Sequence, residues 1–151
     1  MNFWEYMTSN SIINIVLLSW LVAQALKVLI ILIETRKIDF SRFIGAGGMP
    51  SAHAATVVSL TTAIARTNGI DSPMFAVAFT VALVVMYDAA GVRLAAGKQA
   101  RVLNKIIENW DKNKPDLFGE ELKELIGHTP FQVIVGALLG FLIAMVVPVT
   151  H

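Results

Sequence analysis

The chain has 151 residues, a length suited to a single domain. With 56% apolar residues, 15% charged residues and a mean hydropathy of +0.66, its composition excludes an ordinary soluble domain and points to an integral membrane protein. A formal net charge of +1 leaves no bulk electrostatic case for a nucleic-acid partner, and the absence of cysteine excludes disulfides and thiolate metal sites.

Residues 1–10 form an amphipathic lead-in whose Phe3, Trp4 and Tyr6 favour a membrane interface. Glu5 is the sole charge before Lys27, so the basic segment of a secretory signal is missing. The apolar run at 11–33 is therefore expected to stay as a membrane helix. It is punctuated by Asn14, Gln24 and Lys27, and it is long enough to cross a bilayer core. Lys27 either snorkels to the interface or points inward to a polar site.

A polar segment with Arg36, Lys37 and Arg42 leads into Gly47-Gly48-Met49-Pro50-Ser51-Ala52-His53. Paired glycines allow positive φ and close approach to a ligand. Proline suits the first turn of a helix. The stretch reads as a glycine turn feeding a helix N-terminus, where free N–H groups and the helix dipole suit an anion such as phosphate. Ser51 adds a hydroxyl, and His53 adds a group that titrates near neutrality. The alternative is a plain helix cap with an interfacial histidine.

The second helix, roughly 50–66, is rich in Ala, Ser and Thr and is expected to pack closely against its neighbours. Residues 67–73 form a turn. The third helix runs from about 74 to the region of Leu94; it is apolar to Met86 and then carries Tyr87, Asp88 and Arg93. Residues 95–126 read as two charged helical pieces at or outside the membrane surface. Gln99, Val102, Leu103, Ile106 and Ile107 mark the stripe of the first. Residues 109–119, with Pro115, break it, and 120–126 form the second. Gly127-His128-Thr129-Pro130 opens a last span at about 130–149. The expected architecture is all-α: one domain, 1–151, built as an integral membrane bundle of about four transmembrane helices plus a cytoplasmic or interfacial amphipathic segment.

Basic residues accumulate on the cytoplasmic side of a membrane. Arg36, Lys37 and Arg42 precede span two, and Arg93, Lys98, Arg101, Lys105, Lys112, Lys114 and Lys123 lie between spans three and four; the opposite side has Arg66. Both termini are thus expected outside. Ser51, His53, Asp88, Arg93 and His128 then share one cytoplasmic face. In such a pocket one histidine can attack phosphorus while the other protonates the leaving alkoxide. Arginine, lysine and helix-end N–H groups would neutralise the equatorial oxygens.

Asp88 has two readings, a structural partner of Arg93 or Lys27, or a group that orients a histidine or binds a cation. His53, Asp88 and His128 would also suit a divalent cation such as Mg²⁺, although no cofactor is required. Gln99 and Asn104 read as groups that hydrogen-bond between helices. Trp20 and the methionines read as lipid-facing or packing residues, Trp110 as an interface marker, and His151 receives no role.

Three strings, GGMPSAHAA, YDAAGVRLAAGKQARVLN and GHTPFQVIVGALLG, resemble the divergent PAP2 family, itself related to acid phosphatases and vanadium haloperoxidases, in a likeness that extends from about Lys27 to Gly140. Pro50-Ser51-Ala52-His53 matches the second PAP2 motif with alanine in place of glycine. The resemblance implies that His53 is the general acid, Ser51 a phosphate ligand and His128 the nucleophile. Lys27 matches the lysine of the first motif, but Glu34-Thr35 stand where its Arg-Pro belongs. Leu122 stands at the arginine of the third motif, a role Arg93 would have to take through tertiary folding. Gln132 stands at its acid, and glutamine orients an imidazole without stabilising imidazolium as a carboxylate does; Asp88 is the candidate replacement.

The expected phosphate site is therefore Lys27, Gly48, Ser51 and Arg93 around catalytic His128, His53 and Asp88, with Gln99 and Gln132 in support. The leading expectation is an integral membrane phosphatase for a lipid phosphate or pyrophosphate, such as a polyprenyl or phosphatidyl phosphate, with a phosphohistidine intermediate. It would lie in the cell membrane if bacterial, with its active face cytoplasmic and a homodimer as one assembly. The alternatives are a non-catalytic protein that binds an anionic headgroup and assembles with partners, and a small transporter subunit with Lys27 and Asp88 along a path.

Overall fold

The computed structural model describes residues 9–36, 47–110, 122 and 127–149. All regular structure among them is helical: α1 (Ser11–Thr35), α2 (Ala52–Asn68), α3 (Pro73–Ala90), α4 (Val92–Trp110) and α5 (Pro130–Val146). Expectations for Phe3, Trp4, Tyr6, Lys37, Arg42, residues 111–121 and 123–126, the Trp110 side chain and His151 lie outside the described residues.

Four helices begin on a polar side chain that satisfies a first-turn N–H. Asn10 accepts from Ile13, Ser51 from Ala54, Ser72 from Phe75 and Thr129 from Gln132. Pro73 and Pro130 follow two of these caps at the first helical positions, where no N–H is missed. Each cap contributes about 1 kcal/mol in water. In lipid an unsatisfied N–H costs more, so helix starts need such partners.

Two sequence boundaries are corrected. Pro50 precedes the cap of α2 rather than opening the helix, and the Met49–Pro50 peptide is cis. The third helix stops at Ala90, not near Leu94, because Gly91 at φ −109°, ψ −81° leaves helical geometry before α4 begins.

α2 is the central element and packs on α5, α1 and α3, while α1 packs on α5, and α3 on α4 and α5. That position explains why α2 tolerates polar residues. Buried Thr61 donates to the carbonyls of Val57 and Ala78, at 2.8 and 3.2 Å, so its hydroxyl is satisfied away from lipid. The surrounding helices turn large apolar residues outward, among them Leu21 and Leu29 of α1, Val77 and Val84 of α3, and Ile134 and Leu138 of α5. Such a surface belongs in a bilayer. α1, and the run from α3 through Ile107, are each long and apolar enough to span one; α5 is equally apolar but 17 residues long.

Small residues set the spacing. Gly136 and Gly140 of α5 face the backbone of α2, and a Cβ at either would collide with the carbonyl of Ser51 or Ala55. This is a Gly-x-x-x-Gly contact, which lets membrane helices approach backbone to backbone. At the far end of the bundle, Arg66 donates to the carbonyls of Ala144 and Val147 and so satisfies the open C-terminus of α5.

Candidate functional site

The glycine turn does two things. Gly47 and Gly48 adopt φ of 115° and 83°, the left-handed region that favours glycine. The backbone at Gly48 thereby lies against the Lys27 stem, and an added Cβ would sit 3.4 Å from Lys27 Cγ. The turn also presents the Gly48 carbonyl to His128, whose Nδ1 lies 3.1 Å away. A carbonyl only accepts, so Nδ1 carries the proton and Nε2 keeps its lone pair.

His128 is nearly fully buried. Its N–H donates to the Ala89 carbonyl at the end of α3, and Gly127 before it lies so close to the backbone of Arg93 and Leu94 that no side chain would fit. Thr129 and Gln132 then start α5 with a capping box. Burial, with His53 and Lys27 nearby, lowers the His128 pKa from its ordinary 6.5; hydrogen bonds to Gln132 and Gly48 act in the opposite sense. Desolvation and neighbouring positive charge both disfavour imidazolium.

His53, in the first turn of α2, meets His128 edge-on, with ring centres 5.8 Å apart and planes at 64°. Its Nδ1 is buried and has no hydrogen-bond partner among the described residues. Lys27, buried on α1, and Arg93, at the start of α4, join the two histidines around one cavity of about 630 Å³. Trp20, Gln24, Ala52, Thr56, Val57 and Val85 complete its described lining.

Of the residues expected at the site, His53, His128, Lys27 and Arg93 are thus gathered. Ser51 is fully buried beside them, with its hydroxyl engaged as the α2 cap. Gly48 supplies a carbonyl to His128. Gln132 completes the α5 cap through its side chain, and its backbone carbonyl accepts from the Ser51 N–H at 3.2 Å. Asp88 pairs with Arg93 at 2.5 Å and is not among the cavity-lining residues, so of the two charges once placed on a transport path only Lys27 lines the cavity. Gln99 lies apart from the histidines, in a separate groove on α4 with Lys98, Val102 and Leu103. Leu122 is exposed, its backbone paired with the Asn104 amide at 2.9 and 3.0 Å. Among the described residues no three His, Asp or Glu side chains converge as a metal-donor set.

Sequence reasoning missed Trp20, Gln24, Thr56, Val57 and Val85. Helical spacing held the signal. Gln24 and Trp20 lie three and seven positions before Lys27, and Thr56 and Val57 lie three and four after His53, each on the same helix face.

Apolar helices packed through glycine, with two histidines and two cations around one cavity, define a helical membrane protein with a basic, histidine-lined pocket. The comparisons with known proteins agree with that class. The chain belongs to the divergent PAP2 family, whose model matches residues 8–143, and is thus a phosphatase-related membrane protein. It is 42% identical over 134 residues to the uncharacterized membrane protein YuiD of Bacillus subtilis (strain 168), covering 82% of this chain and 85% of that one. No solved structure matches.

Proposed function

We propose that the protein hydrolyses a lipid phosphate or pyrophosphate through a phosphohistidine on His128. The observation that carries this reading is the pairing of His128, held by the Gly48 carbonyl with Nε2 unprotonated, with His53 at 5.8 Å. Attack needs the nucleophilic nitrogen about 3 Å from phosphorus, and the acid needs to lie about 3 Å from the leaving oxygen. Ring centres 5.8 Å apart let both imidazoles reach one phosphoryl group. The Nε2 lone pair forms the N–P bond as the P–O bond to the lipid breaks. His53, as imidazolium, delivers its proton to the departing alkoxide, and the phosphate's negative charge stabilises that imidazolium. Lys27 and Arg93 neutralise the equatorial oxygens. Water, deprotonated by His53, then cleaves the N–P bond and restores both histidines.

A second reading, a non-catalytic binder of an anionic headgroup, is favoured by Gln132. Its side chain caps α5, where a carboxylate beside the imidazole would stabilise developing positive charge. Hydrolysis of prenyl phosphate, phosphatidate and aryl phosphate by purified protein, with and without Mg²⁺, decides between them. The phosphatase reading expects turnover, with phosphoenzyme lost in His128→Ala while phosphate still binds. In His53→Ala, alkyl phosphates should suffer roughly 100- to 10,000-fold more than an aryl phosphate whose leaving group needs no proton. Headgroup binding by wild type without turnover of any substrate would establish the binder instead.

A further inference from the structure

The cavity around the histidines is far larger than a phosphate. At about 630 Å³ it lies in the range that encloses a small organic ligand. Its lining changes character with depth. The histidines, Lys27 and Arg93 form one end. One turn further into the bundle come Gln24 on α1 and Thr56 and Val57 on α2, with Val85 on α3. Trp20 lies seven residues before Lys27, about 10 Å along α1.

The helices leave this deeper part open on one side. α1 and α3 both pack on α2, yet they form no packed pair with each other. The face of α2 with His53, Thr56 and Val57 therefore floors a cleft between them. Trp20 stands at the cleft's edge, 37% exposed, beside the outward-facing Leu17 and Leu21, and Val84 faces outward beside Val85. These apolar neighbours place the opening toward lipid rather than water.

We infer that the cleft between α1 and α3 is a lateral port for an amphiphile. Its phosphate lies between His53 and His128, and the first carbons of its apolar chain lie against Val57, Val85 and Trp20. Charge at one end, and Val57, Val85 and Trp20 beside the polar Gln24 and Thr56 at the other, in one continuous cavity, match that occupant. A chain already dissolved in the bilayer gains little from apolar contact alone. Chain discrimination is then a matter of fit, with Trp20 and Val85 as the residues that set it. This rests on the proposed phosphate site, though not on its being catalytic.

The test uses the full chain in nanodiscs, with Trp4→Phe and Trp110→Phe leaving Trp20 as the single tryptophan. The probes are an alkyl phosphate brominated near its phosphate end, the matching brominated alcohol, and inorganic phosphate. The alkyl phosphate should quench Trp20 saturably and inorganic phosphate should reverse the quenching, whereas the alcohol should quench weakly and in proportion to its membrane concentration. Equal quenching by both brominated probes, or quenching that phosphate leaves untouched, overturns the port. In Val85→Phe, affinity for the alkyl phosphate should fall at least tenfold more than affinity for inorganic phosphate; an equal loss for both also overturns it. Hydrolysis is scored separately. Quenching without turnover would keep the port and reject the phosphatase, and turnover without quenching would do the reverse.

Discussion

Gly136 of α5 lies directly on the backbone carbonyl of Ser51, with no room for a Cβ between them. The Ser51 N–H in turn donates to the Gln132 carbonyl, so the start of α5 is fixed against the start of α2. His53 stands two residues after Ser51, and His128 stands two residues before Pro130, the first residue of α5. The glycine contact thus sets the level at which the two imidazoles meet.

Gly136→Ala should separate α5 from α2 at that level. Overpacking of this kind costs roughly 1–3 kcal/mol. We expect a lower thermal midpoint in detergent and weaker phosphate binding, whereas Leu138→Ala, on the outward face, should change binding little. An unaltered midpoint and unaltered phosphate affinity in Gly136→Ala would show that the contact does not position the histidines.

Arg93 is shared between the cavity and Asp88. The ion pair is substantially exposed, with side chains 46% and 37% accessible, so it contributes at most about 1 kcal/mol to stability. A carboxylate beside an anion site competes for the guanidinium. Asp88→Asn should therefore bind phosphate or vanadate a few-fold more tightly, with little change in thermal midpoint. Arg93→Lys should bind more weakly, because lysine lacks the planar fork that grips two oxygens. Calorimetric titration reads both; a tenfold loss in Asp88→Asn would make the carboxylate a positioning group for Arg93 instead of a competitor.

The residues that were legible in the sequence carry local signals. Apolar runs, Ser72-Pro73 and Thr129-Pro130 announce helices and their starts, and a histidine beside such a start is visible from spacing alone. What was not legible depends on backbone or on tertiary register. The partner of His128 is a main-chain carbonyl, which residue types do not advertise, whereas the sequence offers the carboxylate of Asp88. Gln99 lies on the stripe of an amphipathic helix, and periodicity gives its face but not what that face meets. Gln132 stands where the third motif has an acid, and at the start of a helix its amide closes a capping box instead. Gly136 and Gly140 are unremarkable in an apolar helix until a second backbone is seen to lie against them.

The orientation argued from charge is open to a direct measurement. Lys98, Arg101 and Lys105 lie on α4, beyond the histidine end of the bundle, and Arg66 lies at the opposite end of α2. The chain has no cysteine, so single cysteines report cleanly. Lys98→Cys should be labelled from the cytoplasmic side and Ile70→Cys, in the α2–α3 turn, from the other. Labelling in the reverse pattern would place the cavity on the outer face.

Protonation of His128 gives the last prediction. Its pKa is lowered from 6.5 by burial and by His53 and Lys27. A lowered value means that the neutral form persists as pH falls, and the neutral form is the one with a lone pair on Nε2. The acid limb of phosphoenzyme formation should therefore lie below the 6.5 of an ordinary histidine. Removing the nearby positive charge in Lys27→Met relieves part of the lowering, so the acid limb should move up toward 6.5. Side-chain nitrogen NMR reads the same titration without requiring turnover. It should also show the neutral ring protonated at Nδ1, as the Gly48 carbonyl requires. A midpoint above 6.5, or a proton on Nε2 in the neutral ring, would remove His128 as the prepared nucleophile.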